Sequence, residues 1–531
     1  MFTFEIIPIL GLKTSVQQND PTLFQFIGEN RALTHDVGGV NVDYNRKFNS
    51  CTKSWGLSQW SVSANAQATK CMGLFELYDS SENRNHLYFD NGKVYRFDSA
   101  RAPVEITASP AVTFANDNAD LYSLIQVGDY AVWADMAETT PYKWKHGDAN
   151  ITKLIQSGIE YKFKYLAPFQ RRVIGAYSDQ TNGSIEVRWS TAWPTTAITS
   201  LNYPAANQIY IPNDDIIVSC HTMGRDRCFI GCENSIHSLD YTANYSTPFQ
   251  CRTVNSKHGP VNHHSVINMG DRHYLFNKNY GFCAFDGRQL IPISQDVELD
   301  IQNMNSNYLN LIVGDYVPLT RELVWALPLS GGATNSHLLF YQLDTRKWRK
   351  ENRIMRYVKS QRMYDLYTWN QFIAELGGSG ATWPAAPASW GNYTFNKYRL
   401  SYANTDGHLY YSFGESDLAG SNLDGYRIEP ILNFGDSSRR EIINEIWFSI
   451  NETGSYSIDV YYRSGETVGE LIGQGWTSIG SISCNSPSDP VLYPENLSAK
   501  RLHQIKWGTN LNNEKFEVNS IVFKYVVEER Y

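Results

Sequence analysis

The segment Leu124-Ile-Gln-Val-Gly-Asp-Tyr-Ala-Val-Trp133, followed by Tyr142-Lys-Trp144, shows the pattern that predicts the fold. Two apolar runs flank a Gly-Asp pair, which is a turn signal for a β-hairpin, and a third run ends in aromatic residues. Similar strand pairs recur in six other segments: 86–97, 172–189, 227–241, 273–285, 322–341 and 398–411. The chain therefore contains a repeat built from strand pairs.

The spacing of these hairpins indicates the kind of repeat. Equivalent positions near the hairpin ends are Phe97, Trp144, Trp189, Leu239, Phe285, Tyr341 and Tyr411, so the first four steps are 45 to 50 residues long. A period of roughly 40 to 50 residues is typical of β-propeller blades, because each blade needs neighbours to cover both faces. We therefore expect an all-β fold with a β-propeller of about six to seven blades, in which an N-terminal strand is a candidate to close the last blade.

The two longer steps predict insertions, one of them a Trp-rich segment at about Val358 to Tyr393. From about Gly425 the period stops, and at least six alternating strands follow, which suits a small β-sandwich. The predicted organisation is an N-terminal arm or docking segment at 1–50, the propeller at 51–424 and a C-terminal β-sandwich at 425–531.

Composition and charge narrow the function. The 531 residues include 14 Trp, 34 Tyr and 24 Phe, which suits strands rather than a helical bundle. The net charge of −8 has the wrong sign for a protein that grips nucleic acid through its phosphates. The N-terminus has no basic region before its apolar run, and no window reaches 18 apolar residues. We expect neither a signal peptide nor a membrane anchor.

The cysteines and histidines do not predict a metal site. Eight cysteines are scattered along the chain, and Cys228 and Cys232 would lie about 13 Å apart on one strand, so buried free thiols are expected. His258, His263 and His264 lack a Cys or carboxylate at a metal spacing and are interpreted as loop histidines. The sequence predicts no metal and no cofactor.

A search for catalytic residues gives the same answer. The segment from Ser178 to Trp189 has its Asp, Gly and Trp at the wrong spacing for a sialidase box and is interpreted as a hairpin turn. The neighbouring carboxylates Asp214 and Asp215, and the alternating set 296, 298 and 300, could serve acid–base chemistry or lie on a solvated edge. We expect a protein that is not an enzyme.

Several short segments resemble one family. Pro8-Ile-Leu-Gly-Leu-Lys-Thr14, followed by Asn30 and Gly38-Gly-Val-Asn-Val42, is similar to the opening of tail nozzle proteins of short-tailed bacteriophages, also called packaged-DNA stabilisation proteins. The blade segment Gly281-Phe-Cys-Ala-Phe-Asp-Gly287 agrees with that family. In the insertion, Trp369, Trp383 and Trp390 resemble its Thr-Trp or Ser-Trp motif, although the acidic residue that usually follows is absent.

The resemblance implies a structural virion protein. Such a protein forms a homohexameric ring at the distal end of the tail, docks on the tail adaptor protein, contacts fibre, spike or needle proteins, and forms and gates the DNA exit channel. It would be assembled in the host cytoplasm and then reside in the virion. The net acidity suits a conduit that must not hold the DNA passing through it. Residues considered for subunit contacts are Leu12, Lys13, Trp369, Trp383 and Trp390; the tryptophans could equally be wedges that cover the propeller.

Two other functions stay open on the sequence. Propellers also host glycan-binding and glycan-degrading proteins, and a host-surface receptor or glycan protein is the main alternative. A general interaction scaffold is a further one. The nozzle hypothesis predicts that the chain forms rings or assembles with a partner ring, whereas a glycan protein would be a monomer or trimer that binds polysaccharide. It also predicts that deleting residues 358 to 393 impairs tail assembly but leaves the propeller folded.

Overall fold

The structure of the chain is a computed structural model that describes the following residues: 2–6, 12–14, 24–27, 30–33, 36–45, 50–54, 56–65, 71–90, 92–107, 121–134, 140–155, 160–193, 197–244, 247–329, 331–365, 395–403, 406–414, 423–434, 439–451, 454–485, 489–495, 497–511 and 516–528. Within them the architecture is all-β: a seven-bladed propeller and a two-sheet sandwich.

Six short strands precede the first complete blade: β1 (Phe2–Ile6), β2 (Phe24–Ile27), β3 (Asn30–Leu33), β4 (Val42–Asn45), β5 (Ser50–Lys53) and β6 (Gly56–Gln59). The first five belong to the sandwich, and β6 belongs to the propeller. The N-terminal stretch therefore links both parts of the molecule.

Each blade is a four-stranded antiparallel sheet. Blades one to three contain β7 (Gly73–Tyr78), β8 (Arg84–Phe89), β9 (Val94–Phe97) and β10 (Pro103–Glu105); β11 (Ser123–Val127), β12 (Tyr130–Ala134), β13 (Tyr142–Lys145) and β14 (Thr152–Lys153); β15 (Phe163–Phe169), β16 (Arg172–Ser178), β17 (Glu186–Trp189) and β18 (Gln208–Tyr210). Blades four to six contain β19 (Ile217–Met223), β20 (Arg227–Cys232), β21 (Ile236–Tyr241) and β22 (Phe249–Asn255); β23 (Ile267–Asn268), β24 (His273–Asn277), β25 (Gly281–Phe285) and β26 (Leu290–Pro292); β27 (Val313–Val317), β28 (Glu322–Leu327), β29 (His337–Gln342) and β30 (Lys347–Asn352). Blade seven contains β31 (Tyr357–Asp365), β32 (Phe395–Ala403), β33 (Leu409–Gly414) and β6.

The prediction of a propeller from the hairpin repeat is confirmed. All seven predicted strand pairs are paired strands of separate blades, as in blade two, where Leu124 lies opposite Trp133 and Trp133 opposite Tyr142. The first strand of each blade lies innermost, and these strands follow one another around a central axis until β31 contacts β7. Aromatic side chains pack between blades; for example, Phe89 meets Trp133 edge to face with the ring centroids 5.1 Å apart.

The N-terminal strand β6 closes the ring. It is the outermost strand of blade seven and pairs antiparallel with β33, so that Ser58 lies opposite Tyr411. Leu57 is 1% exposed and belongs to the core cluster shared by blades one, six and seven. Because the last blade takes a strand from the opposite end of the sequence, the blades cannot open without breaking this strand pairing.

The predicted insertion requires a correction at its start. Residues 357–365 form β31, the innermost strand of blade seven, whose residues pair with β32 from Tyr357 opposite Ala403 to Asp365 opposite Phe395. Val358 and Met363 are fully buried there. The segment between the two strands is therefore 366–394, not 358–393, because the polar residues of an innermost strand hid its alternation. Trp369, Trp383 and Trp390 lie outside the described residues.

The sandwich combines both ends of the chain. Its C-terminal strands are β34 (Gly425–Ile428), β35 (Arg440–Ile450), β36 (Ser457–Gly465), β37 (Thr477–Ser483), β38 (Val491–Leu492), β39 (Leu502–Thr509) and β40 (Glu517–Glu528). One sheet has the order β34-β39-β36-β37, and the other β2-β3-β1-β40-β35-β38, with β4 and β5 attached through β40. A shared core that includes Ile6, Phe523 and Trp507 lies between them. The N-terminal strand β1 is thus part of this sheet.

Helical structure is minor. The α-helices described are α1 (Glu298–Gln302) and α2 (Val468–Gly473), and the 3-10 turns are Gly183–Ile185, Ile198–Ser200, Pro212–Asp214, Gln295–Val297 and Ser306–Leu311. Cysteines also behave as core residues: all eight lie in the described chain as free thiols, and seven of them are buried.

Candidate functional site: the axial cavity and the junction with the sandwich

A cavity of about 430 Å³ lies on the propeller axis, where the innermost strands of all seven blades contribute to its wall. Its size falls in the range of ligand pockets in proteins. Polar side chains on these strands reach the cavity: Glu76, Gln126, Thr222, Asn268, Asp315 and Lys359. The axis is therefore a polar chamber inside an otherwise apolar ring of blades.

Most of these polar groups connect neighbouring blades. The bonds that do so are Gln126 Nε2 to Tyr78 O (2.6 Å), Asn268 Nδ2 to Thr222 O (2.7 Å), Ser360 N to Asp315 Oδ2 (2.6 Å) and Arg362 N to Glu76 Oε2 (2.9 Å). Lys359 Nζ adds an ion pair to Asp315 Oδ1 at 3.3 Å. These bonds hold adjacent blades together. Glu76 and Asp315 are half-buried and need such partners, whereas Gln126 and Asn268 are exposed.

Four histidines form a cluster beside the cavity: His221, His263, His264 and His273. The rings of His221 and His263 stack with their centroids 4.2 Å apart, and His273 meets His221 edge to face at 5.9 Å. Burial lowers the pKa of His221 to about 3 and the pKa values of His264 and His273 to about 4, and it holds the pKa of His263 well below its ordinary value. The cluster is therefore neutral at pH 7.

Backbone carbonyls fix the tautomers of this cluster. The Nε2 of His221 bonds to the carbonyl oxygen of His263 at 2.9 Å, and the Nε2 of His273 bonds to that of Thr222 at 2.9 Å. A carbonyl oxygen only accepts, so the proton of each ring lies on Nε2. These rings act as neutral donors that link β19 to blade five.

The histidines predicted to lie in loops do not gather as one group. His263 and His264 reach the axial cavity, whereas His258 packs against Tyr280 with the ring centroids 4.4 Å apart. Within the described parts of the chain, no three His, Cys, Asp or Glu side chains come together as a set of metal ligands. His221 was not identified from the sequence. The only feature of the sequence that could have indicated it is that it is a polar residue on an innermost strand.

A second polar site lies where the N-terminal stretch meets the sandwich. Arg427 and Glu429, both fully buried on and just after β34, form an ion pair of 2.8 Å, and the indole Nε1 of Trp507 donates to the same Glu429 oxygen at 2.8 Å. Burial raises the pKa of Glu429, although Arg427 opposes that shift. Tyr44 donates to Asp36 at 2.6 Å, and the Arg427 guanidinium lies 5.4 Å from the Tyr44 ring centroid.

Asn41 and Gly39 give this junction its close fit. Asn41 has a φ of 56° and uses every polar group: its N–H donates to Lys350, its amide donates to Asp424, and its amide oxygen accepts from Asn352. A Cβ on Gly39 would lie 2.5 Å from the carbonyl oxygen of Tyr426, so only glycine permits the approach to β34. Blade six, the N-terminal stretch and the sandwich are thereby joined.

The predicted contact residues Leu12 and Lys13 lie on the side of blade six. Leu12 is 2% exposed, and its N–H donates to the carbonyl oxygen of Trp348 at 2.7 Å, so its side chain is used within the chain. The Lys13 N–H donates to the carbonyl oxygen of Asp36 at 2.9 Å, and Lys13 is half-buried. A role of this segment in subunit contacts stays a prediction.

Two of the carboxylates considered for catalysis, Asp300 and Asp215, have structural partners. Asp300 is buried, pairs with Lys350 at 2.9 Å and accepts from the Thr14 hydroxyl at 2.9 Å, so it fastens the N-terminal stretch to blade six. Asp215 accepts from the backbone of Asn234 at 3.1 Å and from the hydroxyl of Ser235 at 2.6 Å, which stabilises the turn between β20 and β21. Asp296 and Glu298 are half-buried and exposed, respectively, at the start of α1.

Comparisons with known proteins concern the fold. No protein-family model and no curated protein matches the chain. Among solved structures, it is similar to the extracellular domain of BT4673 from B. thetaiotaomicron at 8% identity and a TM-score of 0.40, covering 77% of this chain and 45% of that one. The chain thus spans less than half the length of that structure.

Two further solved structures are similar to the chain. The WD40 domain of Neurospora crassa Pan2 shows 8% identity and a TM-score of 0.37, with 68% of this chain and 94% of that chain covered. YCF48 bound to D1 peptide shows 9% identity and a TM-score of 0.37, with 72% and 99% covered. Among the residues described, no helix has the length and apolarity needed to cross a membrane.

Proposed function

We propose that this chain is a structural virion protein: the nozzle subunit that forms a ring at the distal end of a short phage tail, docks on the tail adaptor and forms the exit channel for DNA. The observation that carries the proposal is the role of the segments that resemble the opening of the nozzle family. Gly39 and Asn41, in the Gly38-Gly-Val-Asn-Val42 motif, lock the propeller to the sandwich.

A rigid junction between the propeller and the sandwich suits a nozzle subunit, which would be under mechanical load. Packaged DNA presses outward on the tail, and a subunit whose propeller and sandwich move independently would open under that force. In this chain, β1 and β5 are strands of the sandwich, β6 closes blade seven, and Leu12 and Asn41, which lie between β1 and β5, bond to blade six. Both ends of the sequence therefore stabilise one connected body.

The axial cavity excludes one route for the DNA. The cavity holds about 430 Å³, and hydrogen bonds between neighbouring innermost strands close its wall. The major groove of a DNA duplex alone is about 12 Å wide, so a duplex cannot pass along the propeller axis. The proposed channel must therefore form between copies of the chain, which requires a ring.

The proposal is tested by electron microscopy and sedimentation of the purified chain, alone and mixed with tail adaptor rings. We expect closed rings, either alone or on the adaptor. Isolated monomers that bind or degrade a host polysaccharide would overturn the proposal in favour of the glycan alternative. A monomer that does neither, with and without the adaptor, would also overturn it and leave a general scaffold.

A further inference from the structure

The two flat faces of the propeller differ in charge over blades three to six. The turn face carries the turns that follow the first and third strands of each blade: 170–171, 190–193, 197–207, 224–226, 242–244, 247–248, 269–272, 286–289, 318–321 and 343–346. The loop face carries the other connections: 179–185, 211–216, 233–235, 256–266, 278–280, 293–312, 328–329 and 331–336. Antiparallel blades place these two sets on opposite sides of the disc.

The turn face is basic. Its charged residues are six exposed arginines (Arg171, Arg225, Arg272, Arg288, Arg321 and Arg346) and four aspartates (Asp226, Asp271, Asp286 and Asp344). Arg272 and Arg321 lie 3.6 Å and 3.3 Å from Asp271 and Asp344, whereas the other four arginines form no ion pair within the described chain. An excess of arginine is unexpected on a chain whose net charge is −8.

The backbone shows that the turns themselves do not require arginine. Arg171, Arg321 and Arg346 have φ values of 56°, 56° and 57°, in the left-handed region where glycine or asparagine is the usual choice. An ordinary L-residue is strained there. Arginine at three such tips is therefore better explained by what the side chains contact than by how the turns form.

Hydrogen bonds join the turns that carry Arg171, Arg225 and Arg272 in blades three, four and five. Gln170 Nε2 donates to the carbonyl oxygen of Arg225, which joins the turns of blades three and four. The N–H of Gly224 donates to the carbonyl oxygen of Gly270 at 2.7 Å, which joins those of blades four and five. Gly287, next to Arg288, lies against the Arg227 side chain of blade four. The basic surface therefore extends across the turns of blades three to five.

The loop face is acidic. Its accessible charged residues are six acids (Asp179, Asp214, Asp215, Glu233, Asp296 and Glu298) and two lysines (Lys257 and Lys278). The N–H of Glu233 donates to the carbonyl oxygen of Ile216 at 2.9 Å, so three of these acids gather at one edge of blade four. Asp300 does not add to the surface, because it is buried and paired with Lys350.

We propose that the turn face of one copy of this chain binds the loop face of the next copy. This inference rests on the proposed function and assigns the contact that builds its ring. Opposite charges on opposite faces favour a heterologous contact, which closes into a ring when the rotation between copies allows it. Binding of a phosphate-bearing polymer to the turn face is the alternative. It would explain the basic charge of that face but would give the acidic loop face no binding partner.

Charge reversal on each face tests the contact. The basic-face variant carries Arg225→Glu and Arg288→Glu, and the acidic-face variant carries Asp214→Lys and Glu233→Lys; all four sites are at exposed turns. We expect each variant alone to need about 100-fold more protein to assemble, because like charges then face each other. An equimolar mixture should regain rings, since the two variants complement each other at every contact of an alternating ring.

Two controls separate a contact effect from misfolding. Arg346→Gly relieves the left-handed position and should leave Tm unchanged or higher while it weakens assembly. Glu82→Lys reverses a charge at an exposed turn on the turn face of blade one, outside the proposed contact, and should leave assembly unchanged. Raising NaCl from about 0.05 M to about 0.5 M should favour monomers of the wild-type chain.

The outcomes distinguish this inference from the proposed function. Assembly is followed by sedimentation and electron microscopy. If the wild type and both reversed variants all form rings, the face-to-face contact is overturned and the nozzle proposal still stands. Rings that survive reversal, together with loss of binding to a DNA oligonucleotide in the basic-face variant, would assign that face to phosphate instead. A wild-type chain that never assembles, with or without the adaptor, overturns both.

Discussion

Arg427 and Glu429 lie two residues apart at the start of the sandwich, form an ion pair of 2.8 Å, and are both completely buried. Trp507 donates to the same carboxylate, and the Arg427 guanidinium lies near the Tyr44 ring of the N-terminal stretch. The guanidinium and the carboxylate are each other's partners, so neither charge is left unpaired in the interior. The N-terminal stretch contacts this buried pair through Tyr44, a residue some 380 positions earlier in the chain.

Arg427→Met tests how much this buried ion pair contributes to stability. The substitution leaves Glu429 buried without its partner, and breaking a buried pair costs about 3–5 kcal/mol. We expect that loss in the free energy of unfolding by urea, and a smaller loss when Glu429→Met is added, because no charge is then left buried. The control is Arg440→Met, whose ion pair with Glu466 is half-exposed and should contribute less than about 1 kcal/mol. If Arg427→Met and Arg440→Met lower the free energy of unfolding by the same amount, the prediction is wrong.

Gly39→Ala tests the close approach of the N-terminal stretch to β34. The new Cβ would lie 2.5 Å from the carbonyl oxygen of Tyr426 and 2.9 Å from the Cα of Arg427, and backbone atoms cannot move aside easily. We expect a loss of about 1–3 kcal/mol in the free energy of unfolding. Gly38→Ala is the matched control, because its Cβ would meet only a side-chain carbon of Ile428 at 3.6 Å. A thermal shift assay in which both variants behave alike would refute the distinction.

The sequence predicted the propeller because its signal is local. In each blade the second and third strands are apolar and joined by a short connection, and the aromatic residues fall inside that unit, as with Trp133 and Tyr142 of blade two. The same reasoning found the strands of the C-terminal sandwich. Short-range alternation and turn chemistry were therefore enough to assign most strands.

Pairings between distant segments could not be read in the same way. Strand β6 has four residues and pairs with β33 some 350 residues later, and β1 pairs with β40 at the other end of the chain. No local pattern encodes such partners. Innermost strands were also hard to recognise, because residues such as Lys359 and Asp315 face a polar axis and interrupt the alternation. His221 of the histidine cluster, which lies on the innermost strand β19, was missed for that reason.

The axial histidines predict a loss of stability in mild acid. Burial lowers the pKa of His273 to about 4 and holds that of His263 well below its ordinary value, whereas in the unfolded chain both are near 6.5. Below about pH 6.5 the unfolded state therefore binds more protons than the folded state, and the free energy of unfolding falls with pH. Each histidine contributes up to about 1.4 kcal/mol per pH unit.

The measurement is urea unfolding at pH 7, 6 and 5 for the wild type and for His263→Gln with His273→Gln. These two side chains are 6% and 2% exposed, so solvent screens them little. The variant is expected to be less stable at pH 7, because ring stacking and hydrogen bonds are lost, but its stability should decline less steeply as the pH falls. Parallel pH profiles for the two proteins would show that His263 and His273 do not govern acid stability.

The segment between β31 and β32 gives the last prediction, because the strand boundaries decide where it can be removed. Asp365 lies opposite Phe395, so residues 366–394 can be replaced by an Asn-Gly pair that closes a two-residue hairpin. We expect a folded propeller whose Tm stays within about 5 °C of the wild type, since a change of 1 kcal/mol moves Tm by only a few degrees in large domains. Removing 358–393 instead deletes most of an innermost strand, including the buried Val358 and Met363, and should unfold blade seven.

If the deletion of 366–394 folds but no longer forms rings or binds the adaptor, the contact assigned to Trp369, Trp383 and Trp390 is supported. If it assembles like the wild type, these tryptophans have no role in subunit contacts, and a large fall in Tm would mean that they cover the propeller.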